Sequence, residues 1–139
     1  MKKIIKSISV FGLGKLGSCI AATFAERGFQ VVGVDVDENK VSRINKGLPP
    51  VDEPFLSETI DGSGGRLRAT CNPDDVVNTD ISFFIPPSPS LPDGGFSNEY
   101  LLTAMRTCAQ VLHKVNKKDM SSFVVQPPLP VHVIRFLYL

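Results

Sequence analysis

The fold is decided by one stretch, Gly12-Leu13-Gly14-Lys15-Leu16-Gly17, which directly follows the apolar run Ser7–Phe11. The stretch has the spacing G-x-G-x-x-G, and residues 15–27 carry apolar side chains at helical intervals before Gly28 ends the pattern. A buried strand, a glycine turn and a helix in direct succession are typical of the first βαβ unit of a parallel sheet. The stretch therefore predicts an α/β protein.

The rest of the chain repeats this alternation of strand and helix. The further predicted strands share an apolar, β-branched pattern and fall at residues 30–35, 67–70, 81–85 and 122–125. The further predicted helices fall at residues 38–46, 55–60 and 98–112. Another short helix is predicted where Asn72 is the N-cap and Pro73 the first helical residue. A proline-rich connection covers residues 48–54, and a turn covers residues 61–65. Because alternating strands and helices imply right-handed crossovers, we expect a Rossmann-type, doubly wound parallel sheet. Helices on both faces of this sheet give a three-layer αβα architecture.

Composition excludes several classes of partner. A formal net charge of +1 over 139 residues argues against nucleic acid, since nucleic-acid-binding domains carry a clustered basic excess. No run approaches the roughly 20 apolar residues that a membrane span needs, so we expect no membrane partner and a cytoplasmic location. The three cysteines lack metal-ligand spacing and nearby histidines, and we expect neither a metal site nor a disulfide framework.

The glycine stretch also predicts a binding site for a dinucleotide. Gly12 permits a tight turn, Gly14 lets the backbone approach a pyrophosphate, and Gly17 lets the helix pack close to the strand. The second predicted strand ends at Asp35, where a carboxylate accepts hydrogen bonds from the ribose hydroxyls and repels a 2′-phosphate, which favours NAD over NADP. The alternative is a chance glycine turn with a solvent-facing Asp35, but strand, helix and terminal acid in register favour the dinucleotide site.

Other reactive side chains in the sequence indicate no chemistry. Lys15 either touches a phosphate or is a solvated side chain on the loop. Cys19, Cys71 and Cys108 are more simply interpreted as small packing residues than as nucleophiles, because no base lies near them in the sequence. We predict no catalytic residue in this chain.

Four further motifs carry a resemblance to a known family. They occur in order along residues 12–126: Val34-Asp35-Val36-Asp37-Glu38-Asn39-Lys40-Val41; Ile44-Asn45-Lys46-Gly47 followed by Glu53-Pro54-Phe55-Leu56; Arg66-Leu67-Arg68-Ala69-Thr70; and Pro87-Ser88-Pro89 followed by Asp93-Gly94-Gly95-Phe96-Ser97. Together they resemble the N-terminal NAD-binding domain of the UDP-glucose/GDP-mannose dehydrogenase family. Two departures concern Pro86, where the family has an aliphatic residue, and Phe55, where it has glycine.

The resemblance implies a set of NAD contacts in addition to the glycine stretch. It assigns Asp35 to the ribose, brings Lys40 near the adenosine ribose, and lets Ser88 replace a family threonine that contacts the cofactor. It further implies oxidation of the C6 alcohol of a nucleotide-sugar substrate to a carboxylate in two NAD-dependent steps. The family's catalytic cysteine lies in a later domain, and its members form homo-oligomers through a central helix.

A different class of function fits the glycine loop equally well, namely a stand-alone NAD-sensing regulatory module of the transporter kind. The segments around Glu53-Pro54 and Pro87-Ser88-Pro89 discriminate against it, because such a sensor has no reason to keep a cofactor loop similar to that of sugar dehydrogenases.

Residues 127–139 do not match the family. We expect a domain boundary after residue 126 and a sheet that stops after about five strands. Restoring a single base after the codon of Gln126 lets the following codons be re-read as S-T-V-x-G-T, similar to the family's S-T-V-x-x-G-T at this place, which favours a one-base frameshift. The alternative is a functional tail whose hydrophobic residues pair as a strand or occupy a partner's groove.

Overall fold

The structure, a computed structural model, describes residues 4–117, 121–124 and 132–134. The strands are β1 (Ser7–Phe11), β2 (Gln30–Val34), β3 (Leu67–Thr70), β4 (Ile81–Phe84), β5 (Ser121–Val124) and β6 (His132–Ile134). The helices are α1 (Lys15–Glu26), α2 (Glu38–Asn45), α3 (Leu56–Gly62) and α4 (Glu99–Lys114), with a 3₁₀ helix at Pro73–Asn78. None of the helices within these ranges is long and apolar enough to cross a membrane.

The strands form one sheet in the order β3-β2-β1-β4-β5-β6, in which β1 to β5 are parallel. The chain first builds outward from β1 through β2 to β3 and then crosses to the other side of β1 to form β4. The predicted Rossmann-type, doubly wound sheet is confirmed. The reversal of direction lies between β1 and β4, which is where ligands bind in sheets of this kind.

The sheet differs from the prediction at its far edge, where we expected it to stop after five strands. Within the segment that does not match the family, β6 pairs antiparallel with β5, with Ser122 opposite Ile134 and Val124 opposite His132. The expected five-strand sheet did not include this strand, because three residues that flank a proline-rich stretch give no periodic signal, although the alternative of a tail that pairs as a strand allowed for it. Val125, the last residue of the predicted fifth strand, lies outside the described residues.

Register places the ends of the three central strands side by side. Phe11, the last residue of β1, is the register partner of Val34 in β2 and of Phe84 in β4. The ladder continues for one more residue, because Gly12 N donates to Val34 O at 2.9 Å and Ile85 N donates to Phe11 O at 2.7 Å. The glycine loop, the acid after β2 and the loop after β4 therefore leave the sheet at the same edge.

Side chains that alternate along β1 form two cores, one on each face of the sheet. Val10 packs on the face covered by α1 and α3, whereas Phe11 packs on the face covered by α4 and stacks on Phe84 with ring centroids 4.8 Å apart. Both faces are apolar because a parallel strand with helices on either side is buried twice. The sheet with helices on both faces is the three-layer αβα architecture predicted from the sequence.

Two local predictions need adjustment. The segment that Asn72 caps is a 3₁₀ helix, and its cap is as predicted, since the Asn72 side chain accepts from Asp74 N at 3.0 Å. The predicted turn at residues 61–65 starts later, because α3 continues to Gly62. The reversal falls on Gly64 and Gly65, whose φ angles of +59° and +80° favour glycine.

Candidate functional site

A cleft of about 210 Å³ opens at the carboxyl ends of β1, β2 and β4. Its walls come from the ends of these strands, from the start of the 3₁₀ helix and from one face of α4. The lining residues are Phe11, Gly12, Val34, Asp35, Val36, Cys71, Pro73, Pro86, Pro87, Tyr100, Thr103, Ala104 and Thr107. Its position at the point where the strand order reverses is the position of nucleotide sites in doubly wound sheets.

The three glycines of the loop differ in what surrounds them. A Cβ on Gly12, whose φ is +98°, would lie 2.3 Å from Ile85 O, and a Cβ on Gly17 would lie 1.8 Å from Gly12 O. A Cβ on Gly14 would meet no protein atom within 4 Å. Gly12 and Gly17 are therefore required by the packing of the loop on the sheet, whereas Gly14 leaves open space in front of α1.

That open space has the properties of an anion site. The first hydrogen bond within α1 is from Ser18 N to Gly14 O at 2.9 Å, so the amide groups of the preceding residues point toward the helix start. Amide groups and the helix dipole together favour a negative group at this end. A pyrophosphate fits this arrangement because the missing side chain of Gly14 lets it approach the backbone.

Asp35 lies half-buried between the glycine loop and the cleft. Its Oδ2 accepts from Leu13 N at 2.7 Å, and its Oδ1 accepts from Asp37 N at 2.9 Å. A carboxylate has about four lone-pair positions, so these bonds leave capacity for ribose hydroxyls. The acid predicted to contact a ribose is thus also tied to the loop predicted to hold a pyrophosphate.

Two of the predicted loop residues make their own protein contacts. Leu13 is fully buried, and its side chain lies over Gly33, where a Cβ would come within 2.8 Å of Leu13 Cδ2, so only its backbone faces the loop. Lys15 forms an ion pair with Glu53 at 3.1 Å, while 76% of its side chain is exposed. Its charge is directed toward the proline-rich connection. Leu16 is exposed on the first turn of α1.

The other two predicted contacts, Lys40 and Ser88, are not among the residues that line the cleft. Lys40 is half-buried in the first turn of α2, where its amide donates to Asp37 Oδ1 at 3.4 Å. Ser88 is half-buried in the loop after β4 and directly follows Pro86 and Pro87, which do line the cleft.

Sequence reasoning missed the wall of the cleft that α4 supplies. Tyr100, Thr103 and Thr107 recur at helical spacing along one face of α4, and this face looks onto the cleft. The spacing is visible in the sequence, but it predicts only that these residues share a face. Val36, two residues after β2, also lines the cleft, is 95% exposed and offers an apolar surface for a flat ring.

The three cysteines are poor nucleophiles. Burial raises the pKa of Cys108 to about 11, against smaller lowering effects of the Ser82 hydrogen bond and of Lys117. Desolvation raises the pKa of Cys71, as do the carboxylates of Glu38, Asp35 and Asp37. The pKa of Cys19 is raised as well, by desolvation and then by Glu53. A raised pKa keeps each thiol protonated near neutral pH, and the thiolate is the reactive form.

The described residues contain no group of three or more histidine, cysteine or acidic side chains that could hold a metal ion.

The parallel sheet, the glycine loop and the acid at the end of β2 define a dinucleotide-binding α/β domain. The chain belongs to the UDP-glucose/GDP-mannose dehydrogenase family, whose NAD binding domain matches residues 6–126. The family relationship identified from sequence motifs is thereby confirmed, and NAD is the cofactor of this domain.

Individual relatives agree with this assignment. The chain is 42% identical over 120 residues to UDP-glucose 6-dehydrogenase of Haloferax volcanii, covering 85% of this chain and 27% of that protein. It is 36% identical over 108 residues to GDP-mannose 6-dehydrogenase of Pseudomonas syringae pv. syringae, covering 76% and 25% respectively. The chain thus spans about a quarter of the length of these curated relatives.

Solved structures give the same fold. The ternary complex of GDP-mannose dehydrogenase from Pseudomonas aeruginosa superimposes with a TM-score of 0.81 at 32% identity, covering 88% of this chain and 29% of that one. A UDP-glucose dehydrogenase from Pyrobaculum islandicum superimposes with a TM-score of 0.76 at 25% identity, covering 94% and 38%.

Proposed function

We propose that the chain is the NAD-binding portion of a nucleotide-sugar 6-dehydrogenase that oxidises the C6 alcohol of a UDP-glucose-like substrate to a carboxylate, using two NAD. The observation that carries the proposal is the open anion site at Gly14, joined to Asp35 at the reversal point of a family-matched sheet. The 42% identity to UDP-glucose 6-dehydrogenase of Haloferax volcanii supports the choice of a UDP-glucose-like substrate.

In this proposal each part of the site has a separate task. The amide groups at the start of α1 hold the pyrophosphate, and the cleft beside Val36 and Tyr100 holds the adenine. Asp35 accepts hydrogen bonds from the adenosine ribose, with Lys40 and Ser88 as additional contacts. NAD held by these residues would supply the hydride acceptor for oxidation of the sugar alcohol. The catalytic cysteine is contributed by sequence outside this chain.

The proposal is tested by titrating the chain with NAD and NADP in a calorimeter and then adding UDP-glucose to the NAD complex. We expect NAD to bind at least about tenfold more tightly than NADP, because the Asp35 carboxylate repels a 2′-phosphate. Glu58→Gln, which removes an exposed acid on α3, is the matched control and should leave this ratio unchanged. Absence of NAD binding, or preference for NADP, would overturn the proposal.

The same experiment addresses catalysis. We expect no sustained NADH formation from UDP-glucose by this chain alone, since its match is to the family's NAD binding domain and the proposal places the catalytic cysteine outside that domain. Continuous turnover would show that the chain carries its own catalytic group.

We also propose the setting in which the activity works. The product is a nucleotide-activated sugar acid, a glycosyl donor suited to polysaccharide biosynthesis, and we propose a cytoplasmic location and a homo-oligomeric enzyme. Gel filtration with light scattering of the intact enzyme tests the oligomeric state, and a purely monomeric enzyme would contradict that part.

We propose that residues 127–139 are translated in a reading frame that is shifted by one base relative to the family's. The family match ends at residue 126, which supports the proposal, and the pairing of β6 with β5 is what the alternative of a functional tail expects. Resequencing the source DNA from the codon of Gln126 decides between them. One additional base that restores S-T-V-x-G-T supports the frameshift, and an unchanged reading contradicts it.

A further inference from the structure

Asp35 is tied into the glycine loop through its carboxylate. Both of its oxygens are engaged, Oδ2 by Leu13 N at 2.7 Å and Oδ1 by Asp37 N at 2.9 Å. The first distance lies at the short end of the range for N–H donors, as expected when the acceptor is charged. The bond to Leu13 reaches back 22 residues, from the end of β2 to the turn after β1.

We infer that Asp35 is a positioning residue for the glycine loop in addition to any contact with the ribose. This inference rests on the proposed NAD site and assigns a second role to one of its residues. The carboxylate fixes the Leu13 amide, and with it the orientation of the peptide groups between Gly12 and Gly14. The pyrophosphate pocket is thereby held in shape by the protein's own contacts.

The physical argument is one of conformational freedom. A loop with glycine at three of six positions has more accessible backbone states than ordinary sequence, so ordering it opposes binding unless protein contacts already hold it. On the strand side the loop is anchored by Gly12 N to Val34 O, and on the helix side by Ser18 N to Gly14 O. The Leu13 amide lies between these anchors, and Asp35 is its acceptor.

Electrostatics makes the inference testable, because the two roles of Asp35 predict opposite effects on one ligand. A carboxylate near a pyrophosphate repels it, so removing the charge should strengthen phosphate binding if the loop is unaffected. If Asp35 holds the loop in shape, removing it should weaken phosphate binding in spite of the relieved repulsion. The ligand must lack the ribose hydroxyls, so that a lost ribose contact plays no part.

The experiment compares ADP with 2′,3′-dideoxy-ADP on the unmodified chain and on three variants. Asp35→Asn keeps the shape of the side chain but turns an NH₂ group toward one of the two amide donors, and Asp35→Ala removes both acceptors. Glu38→Gln is the matched control, because it removes a nearby exposed acid at the start of α2. Affinities are measured by calorimetry, and circular dichroism confirms that each variant is folded.

We expect Asp35→Ala to lose at least about fivefold in affinity for dideoxy-ADP, while Glu38→Gln stays unchanged or binds slightly more tightly. Asp35→Asn keeps one acceptor oxygen that can still face Leu13 N, so its loss should be smaller. Unchanged or tighter binding of dideoxy-ADP by Asp35→Ala, with loss confined to ADP, would overturn the inference. If the unmodified chain binds neither ligand, the proposed cofactor site is wrong. The positioning role of Asp35 is then tested by hydrogen exchange alone.

Hydrogen exchange on the unmodified, ligand-free chain decides the matter even if the Asp35 variants do not fold. We expect the Leu13 amide to be protected to the same degree as the Ser18 amide, which is bonded to Gly14 O within the first turn of α1. Rapid exchange at Leu13 alongside a protected Ser18 would show that the carboxylate does not hold the loop.

Discussion

A Cβ atom on Gly17 would lie 1.8 Å from the carbonyl oxygen of Gly12, so the start of α1 touches the turn after β1 backbone to backbone. Gly14, which stands between these two residues, has no protein atom within 4 Å of the same hypothetical position. The loop therefore combines glycines that the fold needs with one that the ligand needs.

Substitutions in the loop should separate these two requirements. Gly17→Ala should lower the free energy of unfolding by at least about 3 kcal/mol, the upper end of ordinary overpacking, because its neighbour is backbone and cannot rotate away. Gly14→Ala should change the stability by less than about 1 kcal/mol, since its φ of −76° suits any residue, and should weaken NAD binding about tenfold. Urea unfolding and calorimetric titration measure the two effects.

Gly28→Ala is the matched control for the loop variants. Gly28 has a positive φ of +100° and open space around its Cβ position, so the substitution should cost about 1 kcal/mol of strain and leave NAD binding unchanged. A Gly17→Ala protein as stable as Gly28→Ala would show that the loop is not packed as described.

Phe55 offers a substitution that should stabilise the protein. It has a φ of +64° at the start of α3, and its side chain is 77% exposed, so it bears left-handed strain and buries little surface. Phe55→Gly should raise the free energy of unfolding by up to about 1 kcal/mol, because relief of strain outweighs the added entropy of the unfolded chain. Thermal unfolding measures the change, with Phe55→Ala as control. A clear loss of stability in Phe55→Gly would mean that the aromatic ring packs against something.

Cys71 provides a chemical probe of the cleft. It is exposed and lines the cleft, whereas Cys108 is buried with a pKa of about 11. A maleimide should label Cys71 first, at a rate that rises with pH because the raised pKa leaves little thiolate near neutrality. Saturating NAD should slow the labelling by at least about fivefold through direct cover. Cys71→Ser should abolish the fast phase, and labelling that NAD does not affect would place the cofactor elsewhere.

Lys15 should contribute little to cofactor binding. Its ammonium group already pairs with Glu53 and is largely solvated, and exposed pairs of this kind contribute roughly 0–1 kcal/mol. Lys15→Gln should therefore change the equilibrium constant for unfolding and the NAD affinity by less than about fivefold each. Glu53→Gln is the partner variant. An NAD affinity lowered tenfold by Lys15→Gln alone would show that the lysine leaves Glu53 and binds phosphate.

The sequence allowed prediction of those parts of the site that depend on local geometry. The turn at Gly12 and the acid at Asp35 follow from a strand–glycine–helix pattern within one βαβ unit, because register then places the strand ends together. The sequence also showed that Phe55 stands where the family has glycine. The structure accounts for the family's glycine, because the backbone at this position adopts the left-handed conformation for which glycine is suited.

The remaining parts depend on tertiary packing and could not be predicted in this way. Tyr100 and Thr103 face the cleft only because α4 packs across the ends of β1 and β4, which helical spacing alone does not determine. The hydrogen bond from Leu13 N to Asp35 Oδ2 likewise depends on how the glycine loop is placed relative to the end of the sheet. The antiparallel pairing of β6 depends on backbone partners rather than on side-chain pattern.

The central claim is that NAD binds at the carboxyl edge of the sheet, over the glycine loop. Amide NMR spectra of the labelled chain, recorded during titration with NAD, test it most directly. We predict that the largest shift changes fall on residues 12–17, 35–36 and 71, with little change along α3. Changes concentrated on α3 or around Arg68 and Lys114, or no saturable change at all, would contradict the claim.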